Sequence, residues 1–328
     1  MVLLALLVAC DGSDVVDVGE DSAGETGDVL DLTVEFVAAP DGGIEIRTPV
    51  FEVPPYTEAL RCYFGTYTGP TVGVTFMQPL QAELYSHHNQ LKAVYDDTYA
   101  DGELIDCQTS GEMSEYVPLF ESVGIEPGPE TAGGNWLDLP DGVAMKLVDG
   151  QRWVLDMHYI NPTDQTLRVN NGVNLDYIEV DEVEGWASSV QFDSGPLDIP
   201  ASSAYSVTFD CPFDRDATVL SVLGHMHSRG TSYAVDYTDL GGATERIYEV
   251  PEWDGDWHPY YPQLQNYAPG EFSVREGETF TTTCSWFNDE DRDLVFPDEM
   301  CTTVVVMYPL EEPLACNAGV YQDLGGPR

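Results

Sequence analysis

Five of the six histidines in this sequence stand where their imidazoles could be gathered around a metal. His225 and His227 frame Met226. Side chains alternate along an extended strand, so these two rings project from one face and can share an ion. His87 and His88 are neighbours, and a regular strand sends neighbours to opposite faces. For both to reach one ion the backbone must bulge or end there, or the rings must use different nitrogens. His158 closes an alternating run in which Trp153, Leu155 and Met157 share one face while Arg152, Val154, Asp156 and His158 share the other. Asp156 is thereby placed to accept an imidazole proton and steer a ring. Three histidines in the first half and two in the second suggest one site in each half. The second site needs another ligand, and Asp298-Glu299-Met300-Cys301 offers Met300, whose soft thioether favours Cu(I) and suits structural zinc poorly. His258, in Asp254-Gly255-Asp256-Trp257-His258-Pro259, reads as a loop residue.

The elements that must position these side chains read as strands. From Leu30 onward, short β-branched and aromatic runs are separated by Gly, Pro, Asn and Asp, without a sustained helical period. Examples are Thr71 to Phe76, Arg152 to Tyr159, Ala204 to Phe209, Ala217 to Leu223, Ser232 to Tyr237 and Thr302 to Tyr308. Many short strands favour an all-β protein built of sandwiches. At 328 residues the chain exceeds the usual single domain, so two domains are expected. Glu182 to Pro200 is acidic and carries Gly185, Gly195 and two prolines, which places a boundary at about residue 187. An N-terminal domain over 31–187 and a C-terminal domain over 188–328 follow.

Charge excludes one class of partner. With 58 acidic against 12 basic residues, the net charge of -46 repels phosphate backbones, so nucleic acid is not an expected partner. Met1 to Ala9 is apolar but far too short to span a bilayer. It reads as the core of an export signal, and Leu7-Val8-Ala9 before Cys10 has the small-residue pattern of a bacterial lipoprotein cysteine. Residues 1–10 are therefore expected to be a signal segment with lipid on Cys10, and residues 11–30 a flexible acidic tether. Membrane contact would come only through that lipid, on a monomer exported to the periplasmic or cell-surface side. Setting Cys10 aside leaves six cysteines, Cys62, Cys107, Cys211, Cys284, Cys301 and Cys316. An even number suits disulfides in an oxidising compartment, although counting leaves fifteen pairings open.

Five motifs, in order, resemble the copper type II ascorbate-dependent monooxygenases, the family of the peptide-amidating hydroxylase and dopamine β-monooxygenase. They are Tyr85-Ser86-His87-His88, Leu139-Pro140-Asp141-Gly142-Val143, Val154-Leu155-Asp156-Met157-His158-Tyr159, His225-Met226-His227, and Asp298-Glu299-Met300-Cys301 followed by an apolar strand to Tyr308-Pro309. The resemblance covers about residues 55 to 318. It implies two jelly-roll-like β-sandwich domains in tandem, with metals facing each other across a solvent-filled cleft. It further implies a copper held by His87, His88 and His158, and a second, catalytic copper held by His225, His227 and Met300. Two copper ions, an ascorbate-like reductant, O2 and a small organic substrate would then serve C-H hydroxylation. The alternative is a non-catalytic copper-storing or copper-delivering lipoprotein. The resemblance also implies the disulfides Cys62–Cys107, Cys211–Cys316 and Cys284–Cys301. Leu223 and Val304 stand where peptide-amidating members carry the arginine and tyrosine that hold a substrate carboxylate, so peptide amidation is not expected. A zinc hydrolase with three imidazoles and an activated water is a further class, but the chain has no His-Glu-X-X-His run.

Overall fold

The computed structural model describes residues 28–39, 42–82, 84–95, 97–107, 117–123, 137–253, 264–296 and 298–324. The signal segment, Cys10, most of the tether, and the run holding Trp257, His258, Tyr260 and Tyr261 lie outside the described residues.

The strands, in chain order, are β1 (Val29–Asp31), β2 (Ile44–Arg47), β3 (Phe51–Val53), β4 (Thr57–Thr66), β5 (Val72–Leu80), β6 (Ser86–Val94), β7 (Leu104–Asp106) and β8 (Val117–Val123). There follow β9 (Leu137–Asp138), β10 (Val143–Leu147), β11 (Arg152–Asn161), β12 (Thr166–Val169), β13 (Gly172–Glu179), β14 (Gly185–Asp193), β15 (Ser203–Pro212) and β16 (Ala217–His225). The last are β17 (Gly230–Thr238), β18 (Thr244–Val250), β19 (Gln265–Asn266), β20 (Ser273–Val274), β21 (Thr279–Asn288), β22 (Thr302–Tyr308), β23 (Leu314–Asn317) and β24 (Val320–Asp323). Among the described residues there is no α-helix; one 3-10 turn, Val180–Glu182, leads into β14. Each strand expected from the sequence lies within one of these, except that β5 begins one residue after the expected Thr71. Val29 and Leu30, assigned to the tether, are already in β1, where Leu30 packs against the first core.

The fold is all-β, with two sandwiches in tandem. In the first, β10, β5 and β13 face β4, β11 and β6 across a core of Val72, Val74, Met145, Val173, Leu155, Met157 and Tyr159. In the second, β14, β22 and β16 face β15, β21 and β17 across Phe192, Val305, Met307, Val222, Phe209, Phe280 and Tyr233. One sheet runs through both, in the order β19-β16-β22-β14-β10-β5-β13-β2, joined where β10 pairs parallel to β14 with Val143 opposite Gly185. This explains why the run Val304 to Met307 of β22 is apolar without alternation: Val305 and Met307 enter the second core, while Val306 enters the first. A strand buried on both faces has no polar face to alternate.

The partner sheet of the first sandwich, β7-β4-β11-β6-β8, positions the chemistry. Leu155, Met157 and Tyr159 of β11 fill the core, whereas Val154 joins Cys62, Phe64, Val94 and Cys107 on the opposite face. Asp156 and His158 share that outer face by alternation. Three disulfides, Cys62–Cys107, Cys211–Cys316 and Cys284–Cys301, are present.

Candidate metal centre

His158 pairs with His88 across β11 and β6, and the next pair is Tyr159 with Ser86. The register therefore skips His87. This is the bulge that an adjacent pair needs if both rings are to reach one place, with two residues opposing one partner. The preceding Tyr85 has φ 65, a region that costs a bulky residue energy and that surrounding structure must hold in place. Its carbonyl accepts the Ile160 N–H at 2.9 Å.

His225 ends β16, opposite Thr302 on β22. Met226 turns into the second core while the His225 and His227 rings lie 5.3 Å apart, so the two-residue alternation continues past the strand's end. Gly224 leaves room for the Tyr233 ring against the end of β16. A Cβ there would lie 2.3 Å from the Tyr233 ring, whose hydroxyl donates to the Thr302 carbonyl at 2.9 Å.

The five rings form one cluster. His87 is its hub, with ring centres 4.6 Å from His158, 5.4 Å from His88 and 6.1 Å from both His225 and His227. His88 lies 5.1 Å from His158 and 5.7 Å from His225. His87, His88, His158 and His225 are buried, and His227 is partly open. One ligating nitrogen from each of His87, His88 and His225 falls within 4.8 Å of the other two. The structure thus differs from the expectation of separate clusters facing across a solvent-filled cleft: the rings of both halves touch. The second grouping of this kind, Cys62, Cys107 and Asp156, has both sulfurs committed to a disulfide and offers no thiolates.

Hydrogen-bonded outer partners orient two of the rings. His227 Nδ1 lies 3.1 Å from the Asp298 carbonyl, which leaves Nε2 for the cluster. His158 Nε2 lies 2.6 Å from Glu58 Oε1, and His88 Nε2 lies 3.5 Å from Asp156 Oδ2. Among the described residues, His158 Nδ1 is buried without a hydrogen-bond partner, as are both ring nitrogens of His88, whose Nε2 is only within ion-pair range of Asp156. His158 has the pattern of a ligating imidazole, with one nitrogen held by an oxygen and the other kept for the ion.

Burial favours the neutral form of His87, His88 and His227, the form that ligation requires. Burial first, and neighbouring rings second, press His87 well below its ordinary value; the same burial takes His88 down to about 4 and His227 to about 3. Burial would raise Asp156, but Lys92, with Nζ at 2.9 Å, and His88 hold it well below the usual carboxylate range. The hydrogen bond from His158 lowers Glu58.

Met300 is partly buried. Its backbone is bracketed by the histidines' own partners, since Asp298 gives its carbonyl to His227 and Thr302 pairs with His225. Glu299 beside it is fully buried and accepts the backbone N–H of His227 at 2.9 Å, that of Arg229 at 2.5 Å, and Trp286 Nε1 at 3.0 Å. Burial raises its carboxyl to about 7 despite those donors. Glu58, Lys92 and Glu299 are the residues that sequence reasoning passed over. Glu299 had a signal, its place next to Met300, whereas Glu58 meets His158 only through the β4–β11 register.

No protein-family model and no curated protein matches this sequence. Among solved structures, recombinant N-glycanase F is similar at a TM-score of 0.37 and 11% identity, over 86% of this chain and 100% of that one. The glycosylasparaginase PNGase F from Flavobacterium meningosepticum is similar at 0.37 and 12%, with the same coverage. The VP2 protein of infectious bursal disease virus follows at 0.22 and 8%, over 82% of this chain and 71% of that one. Likeness at these values carries neither substrate nor mechanism to this chain.

These findings correct the sequence-based assignment. The neighbours found are peptide-N-glycanases and viral VP2 proteins, none of them a copper monooxygenase, and no family model places the chain among copper type II ascorbate-dependent monooxygenases. Family membership, the oxidoreductase activity and the copper-storage or delivery alternative do not stand. The physical reason is that the motifs carrying the resemblance are short. Each specifies a strand that carries a histidine or a turn that leads into a strand, which gathers rings without fixing a reaction.

Proposed function

We propose that this protein is built around a resident first-row transition-metal ion held jointly by its two halves, with metal-assisted chemistry on a small molecule at that centre. The observation that carries this reading is the meeting of His87, His88 and His225 nitrogens within 4.8 Å of one another. Metal–nitrogen bonds of about 2.0–2.1 Å place ligand nitrogens about 3.3–4.2 Å apart, so a small turn of buried rings closes the difference. His158 through Nδ1 and His227 through Nε2 flank the trio, with Met300 a further candidate ligand from the 298–302 segment.

An all-imidazole set suits zinc, copper, iron or nickel, and five rings have capacity for one ion or two. Bound with an open position, such an ion polarises a water or a substrate oxygen. The chain's own groups exclude water from four of the rings and leave access beside His227 and Glu58, whose side chain is 49% exposed. Three disulfides support an oxidising compartment and export.

Equilibrium dialysis of the full chain against zinc, cobalt and copper, with metal analysis, tests this reading. At least one ion per chain is expected, lost in both His87→Ala and His225→Ala. If the wild type retains no ion, or His225→Ala binds as tightly as wild type, a centre shared by the two halves is wrong.

A further inference from the structure

Glu58 is a glutamate on β4, a strand that supplies no histidine, yet its Oε1 lies 2.6 Å from His158 Nε2. The carboxylate sits at the edge of the cluster, half-exposed, while the ring it touches is 5% exposed. The other ring nitrogen, Nδ1, is buried without a hydrogen-bond partner among the described residues. On the neighbouring pair, β11 with β6, His158 faces His88 and the bulged His87. His158 thus has the cluster on one side and Glu58 on the other. His227 and Arg229 of the second half also bear on this carboxylate.

We infer that Glu58 is a positioning residue of the metal centre: it accepts the Nε2–H of His158 and so keeps the Nδ1 lone pair turned into the cluster. A neutral imidazole carries its proton on one nitrogen or the other, and the hydrogen bond made by one decides the tautomer that the other offers. A carboxylate acceptor does this and also raises the basicity of the ligating nitrogen. Asp298 serves His227 the same way through a backbone carbonyl, which no side-chain substitution removes. Glu58 is the version of that contact that mutation can reach. The proposal rests on the metal-centre reading for its purpose, but the tautomer it predicts exists without any ion.

Two variants of the full-length chain and two readouts test it. In metal-free protein, long-range nitrogen–proton correlation spectra at neutral pH report the tautomer of His158 directly. The wild type is expected to show Nε2–H, Glu58→Ala to lose that signature to a tautomer mixture, and Glu58→Gln, whose amide oxygen still accepts, to keep it. Zinc affinity, measured by chelator competition, is expected to fall on the order of 10–100-fold in Glu58→Ala and by less in Glu58→Gln. An unchanged His158 tautomer in Glu58→Ala overturns the assignment, whatever happens to zinc. If the tautomer responds as stated but the wild type binds no metal, the positioning role stands and the metal-centre reading fails.

Discussion

The His87 ring centre lies 4.6 Å from that of His158 and 6.1 Å from that of His225, so one bulged residue touches rings supplied by both halves of the chain. Its position as hub makes it the most sensitive ligand. His87→Ala is expected to weaken zinc binding by more than about 100-fold, beyond the range of outer partners, while His227→Ala, at the open side, costs less. Chelator competition on both variants checks the order. Equal losses would mean that the hub geometry does not govern affinity.

Buried neutral imidazoles make the metal-free chain acid-sensitive. His88 is held down to about 4 and His87 well below its ordinary 6.5, both chiefly by burial. Between pH 6.5 and 4 the unfolded chain takes up protons that the folded chain refuses, so stability falls as pH falls. Each such ring contributes about 1.4 kcal/mol per pH unit in that window. Acidification also relieves the repulsion of a net charge of -46, which acts the other way. Urea midpoints taken in 1 M salt, where the screening length is about 3 Å, isolate the imidazoles. They are expected to drop steadily from pH 7 to 4.5, and a flat profile would refute the claim that these rings are buried neutral.

Alternation made much of this legible before any coordinates. The two faces of β11 and the shared face of His225 and His227 follow from where successive side chains must point, and a bulge at His87-His88 is one of the three arrangements that alternation allows. The number of clusters did not follow, because nothing local in the sequence says that the outer face carrying His158 meets the end of β16. The partners Lys92 and Glu58 were hidden for a related reason. Lys92 looks like an ordinary surface cation in sequence, but its register on β6, two places beyond Gln90, puts it beside Asp156.

Lys92 and Asp156 form a buried pair, at 7% and 1% exposure, with Nζ 2.9 Å from Oδ2. Removing one partner of such a pair strands the other charge, which costs about 3–5 kcal/mol. Lys92→Met is expected to destabilise by that amount, and Lys92→Met with Asp156→Leu to recover most of it. A urea double-mutant cycle gives the coupling. If the double variant is no more stable than Lys92→Met alone, the pair is not what holds this face of β6 against β11.

Glu299 contributes to the pH profile with the opposite sign. Its carboxyl is raised to about 7 by burial, against an ordinary 4.5. Between pH 4.5 and 7 the folded chain therefore holds a proton that the unfolded chain has released, so this group's contribution declines as pH rises, by about 1.4 kcal/mol per unit. His87 and His88 give a rise over most of the same window, so Glu299 partly masks them. Glu299→Gln removes the titration while keeping the shape. It is expected to be less stable throughout by about 1–3 kcal/mol, because its amide NH2 must face one of the donors from His227, Arg229 or Trp286. More diagnostic is the slope: the gain in stability from pH 4.5 to 7 steepens in Glu299→Gln by about one proton's worth. A slope equal to that of the wild type would show that Glu299 is ionised across the window, and that the three donors outweigh its burial.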